Sequence, residues 1–375
     1  MTFGEWTITT PFGISLNYNP DLSLVATDTN NVFVSFLNYD SGYHEFSKSI
    51  NGASSWSARK QVSATYEDSW TSEKSIWVDP DNTDYILITY VDADSDDVML
   101  AVSIDGGANF SLKTIDNSGY CWSPCIDVYN DGGTKYIFVL YGREIPFPQK
   151  LMMAYSSNDG DSWTLKQVES VAPEDVAGDK VIKAVSASTI YVMCKMYLSS
   201  PRWLAFMKTT NSGDSWASSV VSNDANDFGY SHSMAIYDAN TVFVTWIRNG
   251  TPDNLMFGIS TNAGASFTTS TILNANVWGL SMDFVNANTI LISYMTGTSL
   301  NLIYTIDQGV NWIPIADIDT GTFPQKVTSL SIVSNTIYIF YTGESYYGKI
   351  AKCSISTSLP ISSILFLDEE PIILI

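Results

Sequence analysis

Metal-binding and redox residues are scarce in this chain. Its 375 residues include two histidines and four cysteines, Cys121, Cys125, Cys194 and Cys353, with no C-x-x-C pair. A structural zinc site, which draws on Cys and His at close spacing, is therefore not expected. Cys121 and Cys125 lie four apart in what reads as strand, too far for easy bridging. The expectation is buried free thiols. Charge is scarce as well, at 15% of residues, and it is one-sided: 18 basic against 39 acidic, net −21. That balance argues against nucleic acid and against an anionic membrane surface, both of which would be repelled. No apolar run approaches the length of a membrane-crossing helix, and the terminal "PIILI" is far too short. Membrane insertion is not expected. The opening "MTFGEWTITTPFG" has neither the basic nor the apolar region of a secretion signal. A helical period is missing too.

What the chain does have is apolar and repetitive. It is 45% hydrophobic and 13% aromatic, enough to bury a sizeable core. One phrase, S/T-x-D/N-x-G-x-x-W/F, recurs at Ser103–Phe110, Ser156–Trp163, Thr209–Trp216, Ser260–Phe267 and Thr305–Trp312. Ser49–Trp56 fits with its glycine one place early, and a slot at Ser354 keeps only the serine. Each part of the phrase suits a tight turn. The Asp or Asn side chain bonds backbone N–H groups further on, and glycine supplies positive φ. The aromatic packs the turn against a sheet.

Between phrases lie short β-branched and aromatic runs such as "NTVFVTW", "NTILISY" and "KYIFVLY". Counted with the runs flanking each phrase, they make four strands per roughly 50 residues. Such repeats predict an all-β fold: a seven-bladed β-propeller of four-stranded antiparallel blades, six blades being the alternative. The repeats run approximately 4–56, 57–110, 111–163, 164–216, 217–267, 268–312 and 313–366, in a single domain over 1–375. "EWTITT" near the start reads as the missing last strand of the degenerate seventh repeat, so the N-terminal strand closes the ring.

The phrase resembles the Asp-box, or BNR repeat, of the sialidase-like propellers, and the resemblance extends through seven slots. It implies that the phrase sits on the hairpin between the third and fourth strands, away from the functional mouth. That superfamily contains sialidases, other glycoside hydrolases, a photosystem assembly factor, sorting receptors and non-catalytic modules. The sialidase catalytic set is not found. The four arginines are Arg59, Arg143, Arg202 and Arg248, and no N-terminal Phe/Tyr-Arg-Ile-Pro motif is present. The nearest string, Arg143-Glu144-Ile145-Pro146, has an inserted glutamate and stands in the wrong repeat.

Candidate ligand-binding residues are those expected at the channel mouth. Trp70, Trp122, Tyr230 and Trp278 precede the innermost strands, Tyr120 among their neighbours. Their rings could stack on sugars or wedge blades together. Phe36, Tyr90, Tyr141, Trp246, Tyr294 and Tyr341 end the second strands, where packing is the simpler role. In one repeat Lys195 replaces that aromatic, and Lys180 and Lys183 enter the inner strand. With Arg143, Arg202 and Arg248 they could hold an acidic ligand such as a uronate, sialate or sulfate, or pair with Glu144, Glu174 and Asp179. Candidate catalytic carboxylates are Glu67, Asp68 and Glu73 beside Trp70, with Asp175 and Asp179 opposite. Asp92, Asp94 and Asp96 alternate as Ca²⁺ ligands can, or form a solvated loop; no other cofactor is indicated.

Three functions follow from this reading. The first is non-catalytic recognition of a carbohydrate or a surface protein at the mouth. The second is a glycoside hydrolase or lyase acting on an acidic glycan. The third is a structural or assembly role, as in a virion. An extracellular or virion-associated setting accompanies them.

Overall fold

The computed structural model describes residues 1–10, 22–38, 40–65, 75–144, 149–168, 180–196, 203–222, 231–321, 323, 328–343 and 347–356. These residues form seven antiparallel sheets arranged as a seven-bladed propeller, with no helix among them. The innermost strands of blades 1 to 7 are Leu22–Ala26, Ile76–Val78, Cys121–Asp131, Lys180–Ala184, His232–Ile236, Trp278–Asn286 and Thr328–Val333. Each adjoins the next, and that of blade 7 adjoins that of blade 1, so the ring closes. The second strands are Val32–Asn38, Ile86–Asp92, Thr134–Arg143, Ile190–Met196, Val242–Arg248, Thr289–Met295 and Thr336–Thr342. Three of these are buried along their whole length. They read as continuous apolar runs because both faces meet a neighbouring blade.

The core is divided among the seams. Seven hydrophobic clusters are each shared between two adjacent blades, from blades 1 and 2 around to blades 7 and 1. The four cysteines are free and buried, and Cys121, Cys125 and Cys194 lie in these layers. On the axis side the innermost strands have no further strand to pair with. There, side chains of one blade accept N–H groups of the next. Ser233 Oγ accepts Met282 N–H (3.3 Å), Ser281 Oγ accepts Leu330 N–H (3.1 Å) and Ser329 Oγ accepts Leu24 N–H (3.0 Å). Two residues further along, Asp127 accepts Ala184 N–H (2.8 Å), Asp283 accepts Ile332 N–H (2.8 Å) and Ser331 accepts Ala26 N–H (3.2 Å). The spacing of two matches the strand period, so one face of each inner strand serves its neighbour.

The recurring phrase forms the hairpin between the third and fourth strands. In blade 2, Ser103 Oγ accepts Gly107 N–H (2.8 Å) and donates to Asp105 (2.9 Å), whose carboxylate accepts Asn109 N–H (2.9 Å). The same bonds recur around Asn51, Asn158, Asn211, Asn262 and Asp307. Glycine is needed twice over. Gly107, Gly264 and Gly309 have φ of 84°, 80° and 90°. The space a Cβ would occupy at each is filled by a Phe ring of the preceding blade: Phe46, Phe206 and Phe257. The turn is thus a clasp between blades as well as a reversal within one. In the first copy Ala53 takes the glycine's place at φ 65°.

The seventh slot shows why the phrase decayed there. The third strand of blade 7, Gly348–Ser356, continues through Ser354 without turning. Its outer edge is paired by Thr2–Phe3 and Thr7–Thr9, and Gly4 N–H donates to Ser354 O (2.8 Å). The fourth strand comes from the other end of the chain, so no hairpin is required. Phe3 and Trp6 then pack on the cluster between blades 6 and 7.

Two expectations follow. Gly264→Ala should cost about 1–2 kcal/mol for a left-handed alanine plus about 1–3 kcal/mol for crowding Phe206. Gly132, at φ 58° with nothing within 4 Å of its Cβ position, should show only the first part. Equal losses in urea denaturation would remove Phe206 from the account. Secondly, hydrogen bonds from the backbone N–H groups of Asn109 and Asn311 lead those that hold Asp105 and Asp307 down to about 2, from the ordinary 3.8. A depressed carboxylate contributes stability above its unfolded value and loses it as pH falls through the folded one. The double variant Asp105→Asn, Asp307→Asn should therefore fold, as the Asn-bearing copies do, and lose less stability between pH 4 and pH 2. Thermal melts across that window check it.

Candidate functional site

Antiparallel pairing puts the start of each innermost strand and the end of each second strand at the same end of the ring: Cys121 faces Arg143, His232 faces Trp246, and Trp278 faces Met295. That end is the mouth. At blade 3 its backbone is under unusual constraint. Gly119, Tyr120 and Ser123 all have positive φ (74°, 55° and 49°), and the register shifts between Trp122 and Cys125. A tyrosine in the left-handed region is disfavoured by sterics and persists only where its surroundings hold it. Here both sides are held. The Tyr120 carbonyl accepts Glu144 N–H (3.0 Å), and the following amide, Cys121 N–H, donates to Asp96 O (3.0 Å). The Tyr120 side chain is nevertheless 54% exposed. Trp122, half-buried, lies across Gly142 so closely that any Cβ there would overlap the indole.

A buried polar cluster supports this platform. Asp116, at the end of blade 2's outermost strand, accepts Tyr141 O–H (2.6 Å) and an Arg143 Nη1 hydrogen (3.2 Å). Burial pushes the Asp116 carboxyl up. The bonds from Tyr141 and Ser118, with the Arg143 charge, outweigh it and hold the group below its ordinary value. The Tyr141 hydroxyl is correspondingly pushed up, by burial first and then by Asp116. Cys121 is raised to about 12, again chiefly by burial, so it is a poor nucleophile at neutral pH. The seam of blades 6 and 7 repeats the arrangement: Asp319 accepts Tyr341 O–H (2.6 Å) and Lys349 Nζ (2.7 Å).

Other candidates fall in several places. The strand-end aromatics Phe36, Tyr90, Tyr141, Trp246, Tyr294 and Tyr341 are all buried and act as wedges between blades. Trp278 is half-buried at the start of blade 6. Arg143 belongs to the seam of blades 2 and 3, paired with Asp116. Arg248 ends the second strand of blade 5, opposite Asn254. Lys180 is buried, and Lys183, three residues on, points to the other face of the strand. Lys195 lies on blade 4 near His232, a buried imidazole pushed down to about 3 by burial first and then by Lys195 and Lys180. His232 Nε2 lies 3.4 Å from Met193 O.

Asp92, Asp94 and Asp96 were weighed as Ca²⁺ ligands or as a solvated loop. Among the described residues no three His, Cys, Asp or Glu side chains converge to hold a metal. The Asp92 carboxylate instead accepts Asp94 N–H (3.0 Å) and closes its own turn. Glu67, Asp68, Trp70, Glu73, Glu174, Asp175, Asp179, Arg202 and Tyr230 lie outside the described residues. Sequence reasoning placed Tyr120 in an aromatic column but missed Asp116, whose only local signal was an acid ending a strand.

No family model matches the sequence, and no curated protein aligns with it significantly. Solved structures do share its fold. The BP39L lectin from Burkholderia pseudomallei superposes with a TM-score of 0.68 at 12% identity, over 89% of this chain and 96% of that one. YCF48 from Cyanidioschyzon merolae gives 0.55 at 13%, over 93% and 98%. The endosialidase of phage phi92 gives 0.51 at 10%, over 98% and 72%. At such identities the likeness is one of fold.

The platform's support is testable. Tyr141→Phe removes the hydroxyl on Asp116 and should cost about 2 kcal/mol, as for a buried bond to a charged group. Denaturant titration checks this, and a loss below measurement error would discount the cluster.

Proposed function

We propose that this protein is a sialidase-like Asp-box propeller, one domain over 1–375, that recognises a carbohydrate at its channel mouth without cleaving it. The observation that carries the reading is Tyr120. It is an aromatic held in a disfavoured backbone conformation by bonds on both sides, yet more than half exposed. Strain kept at an exposed residue contributes nothing to folding and suits a presented binding group. An aromatic face with a wet polar edge matches a sugar ring. Trp122, locked over Gly142, borders the same platform.

The phrase turns and the fold shared with a lectin and an endosialidase favour this reading. The two seam carboxylates described at this end, Asp116 and Asp319, are each tied to a tyrosine and a cation. They serve as struts, which favours binding over hydrolysis. A surface protein bearing such glycans, met outside the cell, is the expected partner.

A glycan array on the wild-type protein should identify a bound sugar. Tyr120→Gly should then bind at least about tenfold more weakly. The same variant should be more stable by about 1 kcal/mol, because the left-handed strain is relieved. Binding to no glycan, or unchanged affinity in Tyr120→Gly, would sink the proposal.

A further inference from the structure

A second feature lies at the phrase turns, on the end of the ring opposite the mouth. The residue after the opening Ser or Thr of each phrase is exposed there. On blades 3, 4 and 5 it is polar: Ser157, Thr210 and Thr261. On blades 6, 1 and 2 it is Ile306, Ile50 and Ile104, exposed by 51%, 70% and 76%. Val310, on the same turn as Ile306, is 77% exposed. A lone exposed apolar side chain is ordinary, but their restriction to one arc of the ring calls for a cause. Blade 7 sits in that arc, and its third strand runs to this end of the ring and stops at Ser356. Both neighbouring turns are close by. Lys352 Nζ donates to Gly52 O (2.9 Å), two residues from Ile50. On the other side Ile355 pairs with Phe3, whose ring centroid lies 5.0 Å from that of Tyr304, two residues before Ile306. Residues 357–375 follow Ser356 and lie outside the described residues. Ten of these 19 are Ile, Leu or Phe, and none is Lys or Arg. Ile364, Leu365, Phe366 and Leu367 are consecutive.

We propose that this chain covers the apolar tip of its own blade 6, seating Ile364, Leu365, Phe366 and Leu367 on Ile306 and Val310. Eight residues separate Ser356 from Ile364, a reach of up to about 26–29 Å. A segment tethered beside its target meets it at an effective concentration of about a millimolar, well above that of most free partners. Burying both apolar surfaces removes them from water together. The polar tips of blades 3 to 5 offer the segment no such contact.

The test uses the whole chain. The four native thiols are buried, so a cysteine introduced on a phrase turn is the one a water-soluble maleimide reaches. The thiol of Val310→Cys should label slowly. It should label about tenfold faster once Ile364→Ser, Leu365→Ser, Phe366→Ser and Leu367→Ser are added, as for a surface covered nine-tenths of the time. Thr210→Cys, on a polar tip, should label at one rate in both backgrounds. All these positions are exposed turns or lie beyond the last strand, so the ring itself is left intact. Equal labelling of Val310→Cys with and without the serines overturns the proposal. So does protection that fades on dilution, which would assign the tip to a second copy of the chain, or protection of Thr210→Cys to the same degree.

Discussion

The inner edge of each blade is the constraint on which this ring depends. An innermost strand pairs with only one neighbour, and its other backbone groups face the axis. Open water could satisfy them only if the channel were wide. Donors left unpaired and out of reach of water would carry a full desolvation penalty. The chain meets the demand by lending side chains across seams. Ser233, Ser281 and Ser329, then Asp127, Asp283 and Ser331, each accept an N–H from the following blade. These bonds lock the angular register of neighbours, since a slip of one residue would turn the acceptors to the other face.

The outer clasp works at the opposite end of the same seams. Gly107, Gly264 and Gly309 receive Phe rings of the preceding blade, Gly160 and Gly213 receive its Leu100 and Met153, and Lys113 and Lys166 reach across to Asp161 and Asp214. Those ion pairs involve exposed acids and add little. Side-chain packing against a residue without a Cβ carries the contact. The repeated phrase therefore serves the interface between blades as much as the hairpin that displays it. Where the N-terminal strands perform the closure instead, at Ser354, the phrase has been lost.

Rigid seams leave the mouth free to carry strain. Asp116, Tyr141 and Arg143 pin the seam beneath blade 3. Above them Tyr120 is kept in a conformation its own side chain disfavours. Much of this was legible from the residues. Runs such as "NTVFVTW" could only be strands, and the spacing of the phrases counted the blades. "EWTITT" was identifiable as a strand lacking a hairpin partner. The strand-end aromatics were readable as wedges because one occurs in nearly every repeat.

The site was less legible, because its partners come from different blades. Arg143 had Glu144 beside it in sequence, but its carboxylate is Asp116, at the end of another blade's outermost strand. Asp92, Asp94 and Asp96 looked like metal ligands, whereas their turn braces the Tyr120 loop through the Asp96 carbonyl. Lys180 and Lys183 looked like one basic pair, yet strand alternation sends one inward and leaves the other half-buried. The amino-acid sequence by itself determined strand content, blade number and how the ring closes, since these follow from local periodicity and turn chemistry repeated along the chain. Only the tertiary structure decided which tyrosine is presented, which carboxylates are tied down and which lysine is buried beside the axis, because each depends on side chains that meet only across seams.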